Sequence, residues 1–190
     1  MAAQSLALVL ALTSLVSIHA SPAGLGGSPL AEAPANGSGA KNAPVTVTEI
    51  RIDKSDHTLK LLAGADVVKT YKVAIGSGGQ GPKRFEGDKT TPVGTYKVAG
   101  RFKGLFHQFI NVSYPNEEDK KRFAELKAKG AVPAGRSVGF GIGIHGVGDR
   151  SLSGAHKLAD WTHGCIALDD GEIDELSRMV KDGTKIVITD

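Results

Sequence analysis

The stretch IGIHGVGDRSLSGAHKLADWTHGCIAL, residues 142–168, decides how the rest of the chain is read. It holds the only cysteine, Cys165, two residues after His163 and twenty after His145, with His156 between them. A lone thiol with several imidazoles nearby in sequence is the composition of a cysteine nucleophile and its base. A free thiol is mostly protonated at neutral pH, and pairing with an imidazole is expected to raise its thiolate fraction. Gly164 lets the backbone bend and approach a substrate, so that N–H groups beside the nucleophile face a developing oxyanion. Other readings stand beside this one. The alternation of Ile166 and Leu168 suits a strand, on which Cys165 is a small buried hydrophobe. His145, His163 and Cys165 also make three zinc ligands, although His-x-Cys is tighter than the usual spacing and a second cysteine is missing. On a strand His163 and Cys165 share a face, so His163 competes with His145 as the base.

At 190 residues the chain holds one domain and a short extension. Hydrophobic residues make up 41% and aromatics 5%, which still supports a core. The net charge of +3 suits loose attraction to an anionic polymer and is too small and scattered to argue for nucleic acid. Residues 1–20, MAAQSLALVLALTSLVSIHA, read as a secretory signal with a cut after Ala20 and a fallback after Ala23. The apolar run from Leu6 to Ile18 is short for a membrane anchor. The segment carries no cysteine for lipoprotein processing. Residues 21–44 are dense in Gly, Ala, Ser and Pro and are expected to form a flexible spacer. The sequence thus predicts export, and a single thiol kept outside the cytoplasm itself suggests chemistry.

The domain is expected over residues 45–190. Val45 to Ile52 alternates as a strand, Asp53 to Asp56 reads as a turn, and Thr58–Leu62 and Asp66–Ile75 form two more strands. Gly76 to Gly79 marks a loop. In Gly87 to Tyr96, GDKTTPVGTY, Pro92 fixes φ and Gly94 permits a tight turn, so a rigid loop enters a strand there. It is either a wall of the substrate groove or a structural turn. Phe106 to Val112 is strand-like. Glu117 to Lys129 is a helix capped by Asn116, stopped by Gly130, with its charges facing solvent. Gly139 to Ile144 is a glycine-spaced strand that delivers His145. Val147 to Leu158 is a loop able to fold over the site, with His156 exposed. Asp169 or Asp170 caps a helix through Met179, and Lys185 to Thr189 is the last strand. Periodicity alone gives an α+β fold with many short strands.

His145-Gly146, the sixteen residues from Gly146 to Trp161, and then Thr162-His163-Gly164-Cys165-Ile166 resemble the signature of the L,D-transpeptidase (YkuD-type) catalytic domain. Gly87 to Tyr96 is similar to that family's G-D-x-x-T-P-x-G-x-Y/F segment. Tyr114-Pro115-Asn116 before an acidic helix and Asp160-Trp161-Thr162 resemble a subgroup. The resemblance implies a mainly β, YkuD-like β-sandwich core with two or so helices. It implies a cysteine that attacks a peptidoglycan stem peptide between a diamino acid and D-alanine, expels D-alanine and passes the acyl group to an amine. That amine belongs to another stem, a D-amino acid or a wall-anchored protein. Carried onto this chain, Cys165 is the nucleophile and His145 the base. His163, Gly164 and Gly146 shape the turn and oxyanion site, and Thr162, Trp161, Asp160 and Tyr114 are candidates for substrate contact. The resemblance implies neither cofactor nor metal. The chain departs from many members in having Ala167 where they have Arg, and Asp169 or Asp170 near their Asn. Losing a guanidinium removes a carboxylate partner, so the donor is bound differently or the reaction is that of a peptidoglycan hydrolase on the same site; an inactive wall-binding module of the same fold is a separate alternative.

Overall fold

The run Glu49-Ile50-Arg51-Ile52-Asp53 alternates in burial as it does in sequence: both isoleucines have no exposed surface, and Arg51 faces solvent. The computed structural model describes residues 45–190, so the expected signal and spacer lie outside the described residues. In chain order the strands are β1 (Glu49–Asp53), β2 (Thr58–Ala63), β3 (Asp66–Lys72), β4 (Gly94–Gly104), β5 (His107–Val112), β6 (Gly143–His145), β7 (Ile166–Ala167) and β8 (Lys185–Thr189). The helices are α1 (Glu117–Ala128) and α2 (Asp170–Met179), and two 3₁₀ turns lie at Arg150–Leu152 and Ala155–Leu158. The mainly β, α+β class with two helices is therefore the one observed.

The eight strands form one mixed sheet in the order β3-β2-β1-β8-β4-β5-β6-β7. The last strand returns to the first as a parallel neighbour, with Ile50 beside Ile186 and Ile52 beside Ile188. The strand expected to run from Asp66 to Ile75 ends at Lys72, because the chain beyond it changes partner. Ala74 exchanges both backbone hydrogen bonds with Ala167, at 3.1 and 2.8 Å. Thr162 N–H donates to Ile75 O and Ser77 N–H to Thr162 O. The continuation of edge strand β3 thus meets edge strand β7, and the sheet curls closed around its core. Ile110, Ile144, Ile166 and Leu168 have no exposed surface in that core, each contributing about 1.5–3 kcal/mol by burial.

The glycine-spaced strand expected from Gly139 is observed only over Gly143–His145. Gly139 and Gly141 have φ of +91° and +70°, outside the extended range of a regular strand. α1 carries the expected cap: Asn116 accepts from Asp119 N–H and Asp119 accepts from Asn116 N–H, both at 3.0 Å. Its charges do not all face solvent. Asp119 is buried and accepts from Tyr96 Oη at 2.9 Å and Arg122 Nη1 at 2.9 Å. α2 buries Ile173 and Leu176 against β5 and β6, the strands that carry the site.

Candidate active site

His145 is the last residue of β6, paired with Phe109 of β5 on one side and Ala167 of β7 on the other. Cys165 directly precedes β7. Both line one cavity of about 250 Å³ together with Phe106, Trp161, Thr162 and His163. Gly143 makes the approach possible: a Cβ there would collide with the ring of Phe109. That ring lies almost parallel to the His145 imidazole, 5.7 Å away at 6°. Phe106 stands at 4.6 Å, and Trp161 presents its edge at 5.9 Å.

Polar contacts orient this apolar cage. His145 Nδ1 lies 2.6 Å from Gly146 O. A carbonyl only accepts, so Nδ1 carries the proton and Nε2 keeps its lone pair. Burial pushes the His145 pKa below its ordinary value, and the Gly146 carbonyl only partly opposes this. Burial pushes the Cys165 thiol up, against a backbone hydrogen bond from Gly143 and the charge of Lys83. Sγ lies 3.6 Å from Gly141 O, which accepts the thiol proton. Both shifts favour the uncharged form of each side chain. These shifts run against the raised thiolate fraction expected of the pair, because an apolar cage disfavours both charges. In such surroundings a base that takes the thiol proton during attack avoids a standing charge.

The turn before the nucleophile is held by Thr162, which is buried rather than available to substrate. Its hydroxyl donates to Cys165 O at 2.7 Å and accepts from Gly164 N–H at 3.1 Å. The Gly164 amide is thus already engaged, which leaves the Cys165 N–H as the amide beside the nucleophile. Gly164 has φ +124°, and a Cβ there would stand 2.9 Å from Thr90 O. Gly76 is wedged as closely between Gly164 Cα and Thr91 N, each 2.9 Å from where its Cβ would be. The GDKTTP loop is therefore the backing of the nucleophile turn. Asp88 ties that loop together, accepting from Lys83 Nζ, Arg84 N–H and Thr90 N–H.

A family model described as the L,D-transpeptidase catalytic domain, YkuD, matches residues 48–188. The chain belongs to this family. Among solved structures, this YkuD domain is similar in fold to the helical cell shape determining protein Pgp2 from Campylobacter jejuni. That likeness has 23% identity and a TM-score of 0.54, covering 77% of this chain and 51% of that one. The K307A mutant of the same protein gives 24% identity and a TM-score of 0.54 over 75% and 46% of the two chains. Bd1075 from Bdellovibrio bacteriovorus gives 20% and 0.51 over 77% and 48%. The chain thus spans about half the length of these structures. No curated protein matches it.

The YkuD domain brings some of the remaining candidates to the cavity and leaves others away from it. Trp161 and His163 stand at the rim, both exposed. Asp160 is turned away to hold the fold: its carboxylate accepts from Ile75 N–H at 3.1 Å and lies 3.1 Å from His57 Nε2. Tyr114 is buried in the core with its hydroxyl donating to Val138 O at 2.7 Å, because an apolar ring with one satisfied hydroxyl suits that interior. Gly146 serves through its carbonyl, and a side chain there would collide with the Asp170 carboxylate. His156, expected to be exposed, is buried with Nε2 3.2 Å from Asp169. Among the described residues no three His, Cys, Asp or Glu side chains are grouped to hold a metal, so His145, His163 and Cys165 do not converge as ligands.

Several residues of the site escape a reading by motif. Phe106, in the turn between β4 and β5, and Phe109 on β5 cage the imidazole, and their only sequence signal is the clustering of scarce aromatics around that turn. Asp170 accepts from Val147 N–H at 2.9 Å and Gly148 N–H at 3.0 Å, which fixes the turn after His145. Asp169 accepts from Gly154 N–H and Lys157 Nζ and holds the following loop. Their sequence signal, a pair of acids at a helix start, reads equally well as a plain cap.

Proposed function

We propose that this chain is an exported cysteine acyltransferase that acts on peptidoglycan stem peptides. The observation that supports it most is the shared cavity of Cys165 and His145, with the imidazole tautomer set by Gly146 O. Nε2 takes the thiol proton as Sγ attacks the carbonyl carbon between the diamino acid and D-alanine. The oxyanion forms beside the Cys165 N–H. The tetrahedral adduct then collapses, the C–N bond breaks, and the departing D-alanine amine takes the proton from Nε2. A thioester on Cys165 remains. An acceptor amine gives its proton to Nε2, attacks the thioester carbonyl and expels the thiol, which regains that proton. A second stem peptide, a free D-amino acid or a wall-anchored protein can supply that amine.

Hydrolysis has one specific support. The cavity on the imidazole side is about 250 Å³ and is bounded by Phe106 and Trp161. Water enters such a space freely, whereas a second stem peptide must thread it. The experiment is to supply purified tetrapeptide stem together with a tagged D-amino acid and to analyse the products by mass. Tag joined to the diamino acid, or a new link between two diamino acids, is the expected result. Tripeptide with no tag at any acceptor concentration would make the enzyme a hydrolase built on the same pair.

A further inference from the structure

A second cavity of about 430 Å³ adjoins the first and is lined by Lys83, Glu86, Arg136, Phe140, Gly141 and His163, among others. The two meet at the nucleophile: His163 lines both, and Gly141 O is the carbonyl 3.6 Å from Cys165 Sγ. Their chemistry differs. The smaller is almost wholly aromatic, while the larger brings two cations and one carboxylate to its wall. Lys83 is already spent on Asp88, with Nζ 2.6 Å from Oδ1 and both side chains buried. Glu86 accepts from Ser137 Oγ at 2.6 Å. Arg136 forms no ion pair with any described residue. Its guanidinium rests over Gly87, with Nη1 3.2 Å from where a Cβ of that residue would stand. The walls are fixed to each other, since Glu86 N–H donates to Ser137 O at 2.8 Å and Gly139 N–H to Ser137 Oγ at 3.1 Å. The guanidinium is thus an exposed, unspent cation at the wall of a cavity beside the reacting sulfur.

His145 lines only the smaller cavity, and it must protonate the leaving nitrogen. The leaving residue therefore lies on that side, and the acyl half of the donor extends past His163 and Gly141 into the larger cavity. We infer that this cavity receives a carboxylate carried by the acyl half of the donor peptide, with Arg136 as the residue that selects for it. The inference rests on the acyl-transfer reading of Cys165 and adds the donor's charge requirement to it. A guanidinium pairs with a carboxylate through two parallel N–H donors, which a neutral amide does not match.

The test uses the whole protein with three tetrapeptide donors. One carries free carboxylates, one has the diamino acid side-chain carboxylate amidated, and one has the carboxylate of the preceding residue amidated. Arg136→Ala is expected to lower kcat/KM for the fully acidic donor by about tenfold to a hundredfold, with Arg136→Lys recovering part of it and the melting temperature unchanged. Whichever amidated donor is already slow with the parent, and indifferent to Arg136→Ala, identifies the carboxylate that is held. Equal losses on all three donors, or no loss on any, would overturn this inference alone. Failure of every donor to acylate the parent at Cys165 would overturn the acyl-transfer reading and this inference with it.

Discussion

A neutral thiol beside a neutral imidazole differs in its pH behaviour from a thiolate–imidazolium pair. Burial lowers the His145 pKa, so the base stays ready below the ordinary imidazole value of about 6.5. Single-turnover acylation is therefore expected to rise along an acid limb lying below that value and to be level through neutrality. Because the thiol pKa is raised, iodoacetamide should label Cys165 near pH 6 no faster than a small free thiol. His145→Ala should change that labelling little while stopping turnover. Rapid labelling at pH 6 that vanishes in His145→Ala would mean an ion pair at rest. Gly164 gives a second prediction. With φ +124° and Thr90 O in the way, Gly164→Ala is expected to cost about 1–3 kcal/mol in backbone strain, read as a lower melting temperature. Turnover should fall by about a hundredfold or more as the nucleophile shifts. Cys165 and His145 are legible in the sequence because spacing and residue type survive without coordinates. The engagement of the Gly164 amide by Thr162 is only weakly so, since a threonine two residues before an amide can equally turn its hydroxyl to solvent or elsewhere.

At the scale of elements, the N-terminus of α2 anchors the segment that follows His145. Asp170 takes the amides of Val147 and Gly148, while Asp169 takes Gly154 N–H, Lys157 Nζ at 2.9 Å and the His156 ring. Burial opposes its ionisation, but hydrogen bonds from Lys157, the Gly154 N–H and Ser153, with the Lys157 charge, hold the Asp169 carboxyl at a pKa of about 2, below its ordinary 3.8. The stability it contributes is present above the unfolded pKa and is lost as pH falls through the folded one. Asp169→Asn should therefore lower the melting temperature at pH 7 and lose that difference from the parent near pH 2. Amide hydrogens of residues 150–158 should exchange faster in the variant, and unchanged exchange would show that the segment is held by other contacts. The helices, and strands such as β1, are legible because their periods and caps are local. The anchoring of the 150–158 segment is not. It joins an acid pair to a glycine, a histidine and a lysine upstream, and nothing in the sequence marks these as partners. His156 reads as a solvated loop residue for the same reason.

For the molecule as a whole, closure of the sheet at Ala74 and Ala167 decides how the site is built. It places the nucleophile turn at the seam, buttressed by Thr90 and Thr91 from one side and by β6 from the other. Ala167 has no exposed surface, so a side chain at this position has no path to a ligand. Ala167→Arg is predicted to insert a charge into the seam at a cost of about 3–5 kcal/mol, lowering the melting temperature rather than improving donor binding. A variant as stable as the parent would refute the seam. The mainly β class is visible in the sequence, but the closure is not, because two single-residue bridges far apart in the chain leave no pattern. Cys165→Ala, by contrast, removes little packing and should melt within a few degrees of the parent while losing all turnover. The most direct measurement is the intact mass of the protein after brief mixing with purified stem tetrapeptide. A covalent tripeptide-acyl adduct on Cys165 is expected, absent in Cys165→Ala and formed far more slowly in His145→Ala. Turnover of the tetrapeptide without any adduct, or at the parent rate in Cys165→Ala, would contradict an acyl-enzyme at this pair.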